Sequence, residues 1–471
     1  MKVFSLACLT AVAFAFAIGF GYVFYVLVLG FEAYPIPTIS RTWTFRPSNF
    51  ISRQVVIPGS VALMVIHTAI YYAMKDAPGA SLFLFIALIA NTFLAVVSAI
   101  CMDDFSAECL GSVKLHDGFA VAYFALIDLW MVGMQVVVSH KKKQSVASAH
   151  WMLRSLFCCL GLVANVAVAF PTTGSNFNMM VGRKSGMSLG EFEWLNVSTI
   201  LLFTISFVYE HVLATQVGIL HLNDPVAPVH KGNTRMEALL SITNGPVTIG
   251  AIALCAATIG LAYSVALSRG DFQPLPHVPE VSDLFVLPPG NSYAHFFGIL
   301  GCTLLSIVVF QFSYAYRAWA QRPSIPLVSS LIGVLCLSMS LCVSKVEDTD
   351  LHFFFVSGFF AWFQSFMLWT TFITRKGAVV PKESRSWMHV TALCSLLSKA
   401  RFAIWDLEPF AVGELLDVIV IVVFIGSFAW FHANELNQHP FALFNVIEHG
   451  NADADEDGLW RSTKLSQPEM V

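Results

Sequence analysis

Charge is what this sequence has least of. Asp, Glu, Lys and Arg make up 12% of its 471 residues, about half the roughly 25% usual in a soluble domain. The formal net charge is −4, and no basic face is gathered, which excludes a nucleic-acid-binding surface. There is no Gly-rich phosphate loop, no HExxH and no G-x-S-x-G, which argues against a familiar NTPase, zinc protease or serine hydrolase. The 10 cysteines lie mostly within apolar runs, without paired metal-ligand spacing. No metal and no other cofactor is therefore expected. Cys101 and Cys109 flank one loop and could pair in an oxidising compartment or stay free. Asp453-Ala454-Asp455-Glu456-Asp457-Gly458 starts like an EF-hand loop, but Lys464 stands where the closing Glu should be.

What is present is hydrocarbon. The chain is 56% hydrophobic with 41 Phe, and its mean hydropathy is +0.70. Apolar runs near the roughly 20 residues that cross a bilayer core recur at 4–30, 54–74, 81–101, 117–138, 152–171, 192–213, 239–267, 293–316, 325–343, 353–374, 386–404 and 413–433. Such continuous runs lack the alternation of barrel strands, so each is predicted to be a helix. The fold class is an all-α polytopic membrane protein with about twelve spans. Lys2 before the first run is reminiscent of a signal peptide, but the run reaches Gly30, longer than a signal h-region, and is expected to stay as a membrane helix. Asn196-Val197-Ser198 spells a glycosylation sequon inside the sixth run, where it should go unused.

Polar residues repeat along the chain at fixed offsets. Pro37-Thr38-Ile39-Ser40 aligns with Pro279-Glu280-Val281-Ser282 at an offset of 242, as do Pro47 with Pro289, Asn49 with Asn291 and Gly59 with Gly301. The offset then falls to 236, pairing His116 with His352, Asp128 with Gln364 and Trp151-Met152 with Trp387-Met388. It falls again to 221, pairing Glu193 with Glu414 and His211 with His432. The changes lie in loop regions, where length is cheap to alter. The expected layout is two six-helix repeats, 1–220 and 238–436, joined by a linker at 221–237 and followed by an acidic, solvated cytosolic tail at 437–471. Six is even, so the repeats are parallel. Clusters such as Lys141-Lys142-Lys143 and Arg375-Lys376 put both termini in the cytosol, although Arg41, Arg46 and Arg53 in the first outer loop oppose this.

The Pro-x-[Ile/Val]-Ser loop after the first helix, the acidic pair and His of Val343-Ser344-Lys345-Val346-Glu347-Asp348 and His352, and the Glu that opens a sixth helix ending in His resemble the Frag/DRAM/Sfk-type multispan family, which includes Cwh-like membrane domains. Within it the likeness is greatest to the post-GPI-attachment lipid-remodelling factors, although the tandem departs from the usual single unit. The resemblance implies a Golgi or endoplasmic-reticulum membrane, lumenal-leaflet lipid as ligand, and GPI-anchored proteins and other membrane remodelling proteins as partners. A lysosomal or plasma-membrane site is the alternative. No nucleophile–base constellation establishes acyl transfer, so whether the chain is an enzyme stays open. A non-enzymatic regulator of autophagy or lipid asymmetry is the second function class and a proton-coupled transporter the third.

On this topology the headgroup candidates are Ser40, His116, Asp117 and Glu193 in the first repeat, and Ser282, Glu347, Asp348, His352 and Glu414 in the second. All fall at one membrane face. His could hydrogen-bond phosphate or sugar, and carboxylates could accept from hydroxyl or amine. The competing reading is that these groups tie helices and loops together. Asp128 and Gln364, well inside their runs, are the intramembrane polar positions.

Overall fold

The computed structural model describes residues 3–33, 36–100, 113–142, 149–169, 189–212, 218–222, 234–242, 244–271, 279–319, 324–376, 386, 389, 392–393, 410–431 and 441–449. Among these residues, ten helices are long and apolar enough to cross a membrane, which makes the chain an integral membrane protein.

In the amino-terminal half the helices are α1 (Val3–Val23, continued by a π turn to Val28), the short α2 (Ile39–Thr42), α3 (Ser48–Met74), α4 (Ala80–Ala99), α5 (Val113–Lys142), α6 (Ala149–Ala169) and α7 (Leu189–Phe207, continued by a π turn to Val212). In the other half they are α8 (Asn244–Arg269), the short α9 (Gly290–Tyr293), α10 (Ile299–Trp319), α11 (Ser324–Cys342), α12 (Thr349–Lys376) and α13 (Phe410–Phe431). A π turn at Ala294–Gly298 joins α9 to α10. The bonds before Pro47 and Pro289 are both cis.

Outside the bundle the proposed linker and the tail are not both bare coil. Strands β1 (Gly218–Leu222) and β2 (Thr234–Ile242) flank β3 (Phe441–His449) in the antiparallel order β1-β3-β2. Gly218 stands opposite Asn445 and Thr234 opposite His449. The acidic stretch of the tail, with its partial EF-hand spelling, lies outside the described residues, as do Cys101, Cys109 and His432.

Hydrocarbon outside the protein changes how a helix shows its buried face. On α1 the buried residues Val3, Ala7, Thr10, Phe14, Ala17 and Gly21 recur at alternating spacings of four and three, with Ile18 beside them, while Leu9, Val12 and Phe16 on the other side are exposed. Both faces are apolar, so hydrophobicity does not mark the packed stripe. There Gly59 of α3 meets Phe14, and Gly21 meets Trp43.

Each half has its own core. Phe14, Leu63, Ile66, Trp130, Phe203 and Phe207 anchor the first, and Val308, Phe359, Phe363, Phe366 and Phe424 the second. His67 and Asn91 tie α3 to α4 inside the first, with Nδ1 and Nδ2 at 2.8 Å under the Trp130 ring. A third cluster, with Phe50, Ile57, Ala95, Ala99, Ile299, Cys342 and Val343, joins the halves.

Across that junction the polar contacts are reciprocal. Arg53 of α3 donates from Nη1 to the Cys342 carbonyl at the end of α11, at 2.7 Å. His295, 242 residues after Arg53, donates from Nδ1 to the Ala99 carbonyl at the end of α4, at 3.1 Å. Arg53 also pairs with Glu347 at 3.6 Å, both nearly fully buried. Ser338 donates to Gln54 at 2.7 Å. Arg53 is therefore a buried interhelical residue, and it drops out of the count of loop charges that opposed the cytosolic termini. Each half thus sends one side chain to the end of a helix in the other.

Candidate functional site

The site starts with proline. Pro37 is buried and its carbonyl accepts from Trp194 Nε1 of α7 at 3.0 Å. Thr38, in extended conformation, caps α2 by accepting from the Arg41 amide at 3.2 Å. The Glu193 carboxylate accepts the Ile39 amide at 3.1 Å and the Ser40 hydroxyl at 3.3 Å. His116, at the start of α5, places Nε2 3.2 Å from the same hydroxyl. Its ring also faces the last carbonyls of α4, those of Val97 and Ile100. Trp43 Nε1 donates to the Ala17 carbonyl of α1 at 3.2 Å. The loop, α1, α4, α5 and α7 thus meet at Ser40. Gly190 allows the approach of α7, because a Cβ there would come within 1.9 Å of the Ile36 carbonyl oxygen.

The second half repeats the clasp and alters its surroundings. Glu414 accepts the Val281 amide at 2.9 Å, the counterpart of the Glu193–Ile39 bond at the same offsets, 221 and 242. His352 donates from Nδ1 to the Val343 carbonyl at the end of α11, at 2.7 Å. However, Ser282 turns to Glu280 at 3.4 Å, and Lys345 binds Glu280 at 2.7 Å and Asp283 at 3.0 Å. Burial alone would lower the Lys345 ammonium, but its hydrogen bonds to Glu280 and Asp283, with their charges, outweigh this and hold it above the ordinary lysine value. No bond joins Ser282 to His352 like that between Ser40 and His116. Glu347 and Asp348 serve elsewhere. Glu347 takes Arg53, Asn49 at 3.5 Å and the Ser344 amide at 2.9 Å, and Asp348 caps α12 through the Leu351 amide at 3.0 Å. Asp117 is close enough for its charge to act on Glu193.

Two cavities share the wall at Ser40. One, about 60 Å³, runs between Phe14, Leu63, Phe124 and Ile200 and opens on Ser40 and Glu193. The other, about 30 Å³, is lined by Asn49, Ser52, Arg53, Ser98, His116 and again Ser40, room for about two waters. An apolar cavity of about 100 Å³ occupies the matching place in the second half. Part of its wall corresponds at the repeat offsets, with Phe285 for Trp43, Leu305 for Leu63, Phe359 for Tyr123, Val418 for Val197 and Ile421 for Ile200. It reaches neither Ser282 nor Glu414. The polar mouth is a property of the first half.

Sequence reasoning missed three groups. Arg53 borders the polar chamber but was read as a loop charge. Arg154 is fully buried against Glu210 of the π turn after α7 and donates from Nε to Gln135 at 3.1 Å; an Arg and a Glu each inside an apolar run is the signal that points to such pairing. Asn196, read only as a sequon, is fully buried and faces the same point of α6 as Asp128.

Comparison with family models, with curated proteins and with solved structures finds no match to this chain.

Proposed function

We propose that the chain is a twelve-span membrane protein of two parallel six-helix repeats whose first repeat holds the headgroup of a lumenal-leaflet lipid at Ser40, His116 and Glu193. The observation that carries this is the position of Ser40 on a wall between a polar chamber and an apolar cavity. A lipid needs that combination. A phosphate or hydroxyl oxygen would meet His116 and Arg53, and an acyl chain would lie between Phe14, Leu63 and Phe124. The reciprocal contacts at Arg53 and His295 and the matched Glu193 and Glu414 clasps support the duplication.

The family resemblance makes the reading specific. The chain acts in the Golgi or endoplasmic reticulum, with both termini cytosolic, in GPI-anchor lipid remodelling after attachment to protein. The geometry favours assistance over catalysis. Glu193 already takes the Ile39 amide and shares the Ser40 hydroxyl with His116, so the clasp offers no free pair of amides to stabilise an oxyanion. The carboxylate sits on the serine, where an acyl-transfer triad would have it orient the histidine.

Deleting the gene and analysing the lipid released from GPI-anchored proteins by mass spectrometry tests this directly. The anchor acyl chains should change, His352→Ala should restore them and His116→Ala should not. Normal anchor lipids together with altered phospholipid asymmetry or autophagy would replace this reading with the regulatory one.

A further inference from the structure

Gly161 of α6 faces a point where oxygen atoms from two other helices converge. A Cβ placed on Gly161 would stand 3.0 Å from Asp128 Oδ1 of α5, 3.3 Å from Thr199 Oγ1 and 3.6 Å from Asn196 Oδ1 of α7. Asp128, Asn196 and Thr199 are each at least 98% buried. The Thr199 proton is committed to the Asn196 carbonyl at 2.8 Å, so its remaining lone pair can only accept. Asn165, one turn along α6 from Gly161, approaches Asp128. Even so, neither Asp128 oxygen receives a hydrogen bond of ordinary geometry, and the Asn196 side chain has none at either atom. Among the described residues no Lys, Arg or His forms an ion pair with Asp128.

Carboxylate, amide and hydroxyl oxygens converging on one point, with neither carboxylate oxygen held by a hydrogen bond of ordinary geometry, are what a bound cation requires. An isolated buried carboxylate is costly, and a positive charge beside it removes most of that cost. One carboxylate balances one charge, whereas divalent calcium takes 6–8 oxygens, usually from several carboxylates. We propose that Asp128, Asn196 and Thr199 form an intramembrane site for a monovalent cation of the sodium class, with Gly161 leaving the room it occupies. The repeat supports this independently. At the offsets 236 and 221, Asp128 corresponds to Gln364 and Asn196 to Asp417, which is fully buried. Each half keeps one carboxylate and one amide at this pair of positions, with the charge moved from one helix to the other. Comparing Asp128 with Gln364 alone conceals that exchange.

The test uses the full chain in nanodiscs at constant ionic strength, titrating NaCl against N-methylglucamine chloride and reading thermal stability and equilibrium binding of radioactive sodium. The expected result is a saturable rise in Tm with sodium and saturable binding. Asp128→Asn should raise the half-saturating concentration by about tenfold or more, the equivalent of one charge-assisted contact. Gly161→Ala should do the same by filling the space with every ligand residue retained, and so stands in should Asp128→Asn fail to fold. Equal Tm in sodium, potassium and N-methylglucamine with no bound sodium would overturn the proposal and leave Asp128 as a protonated, neutral side chain. A sodium response unchanged in both variants would overturn it equally.

Discussion

Arg154→Leu destabilises the amino-terminal half by about 3–5 kcal/mol, the cost of stranding one partner of a buried ion pair. Arg154 is fully buried, with Nη1 on Glu210 and Nε on Gln135. Its guanidinium also lies 5.6 Å from the centre of the Phe207 ring. Gln135 in turn donates to Ser155 and to the Trp151 carbonyl, both at 3.0 Å, so the cluster ties α5, α6 and the end of α7 together. Leucine removes the positive charge and leaves a carboxylate, only 16% exposed, that keeps the His211 ring at 3.8 Å but loses its guanidinium. The double variant Arg154→Leu with Glu210→Leu strands no charge and should recover most of the loss. A double-mutant cycle of unfolding in detergent measures both. A double variant no more stable than the single would show that the cost is lost packing and that the charge pair contributes little.

The second large effect lies between the halves. Arg53→Met should also cost about 3–5 kcal/mol, because it leaves Glu347 buried with only Asn49 and the Ser344 amide. His295→Ala, at the reciprocal position, should cost no more than about 1–3 kcal/mol, because it leaves only the neutral Ala99 carbonyl unmet. The asymmetry is the informative part. Both side chains reach the end of a helix in the opposite half, but only Arg53 also neutralises a carboxylate. Unfolding of the two variants and of Arg53→Met with Glu347→Met provides the comparison. Equal losses at Arg53 and His295 would mean that the ion pair adds nothing to the carbonyl contact.

Much of the bundle was legible because each span announces itself by length. The packed faces were not, since a helix that meets protein on one side and lipid on the other is apolar all round. The clasp was half legible. Repeated polar positions located Ser40, His116 and Glu193, but offsets cannot say that Glu193 bonds the Ile39 amide. The matching spelling of the second half hid a different arrangement, because Asp283 stands where the first half has Arg41, and Lys345 pairs with both Asp283 and Glu280. The sheet was not foreseen. β3 pairs with strands about two hundred residues earlier, a long-range contact that local pattern does not encode.

Photo-crosslinking with a lipid that carries a diazirine in its acyl chain, followed by mapping of the labelled residues, tests the lipid site most directly. Labels should concentrate on Phe14, Leu63, Phe124 and Ile200, the walls of the cavity below Ser40, and should fall sharply there in His116→Ala protein that is otherwise folded. Labels spread over outward residues such as Leu9, Phe16 and Phe85, with the same pattern in His116→Ala, would contradict the account.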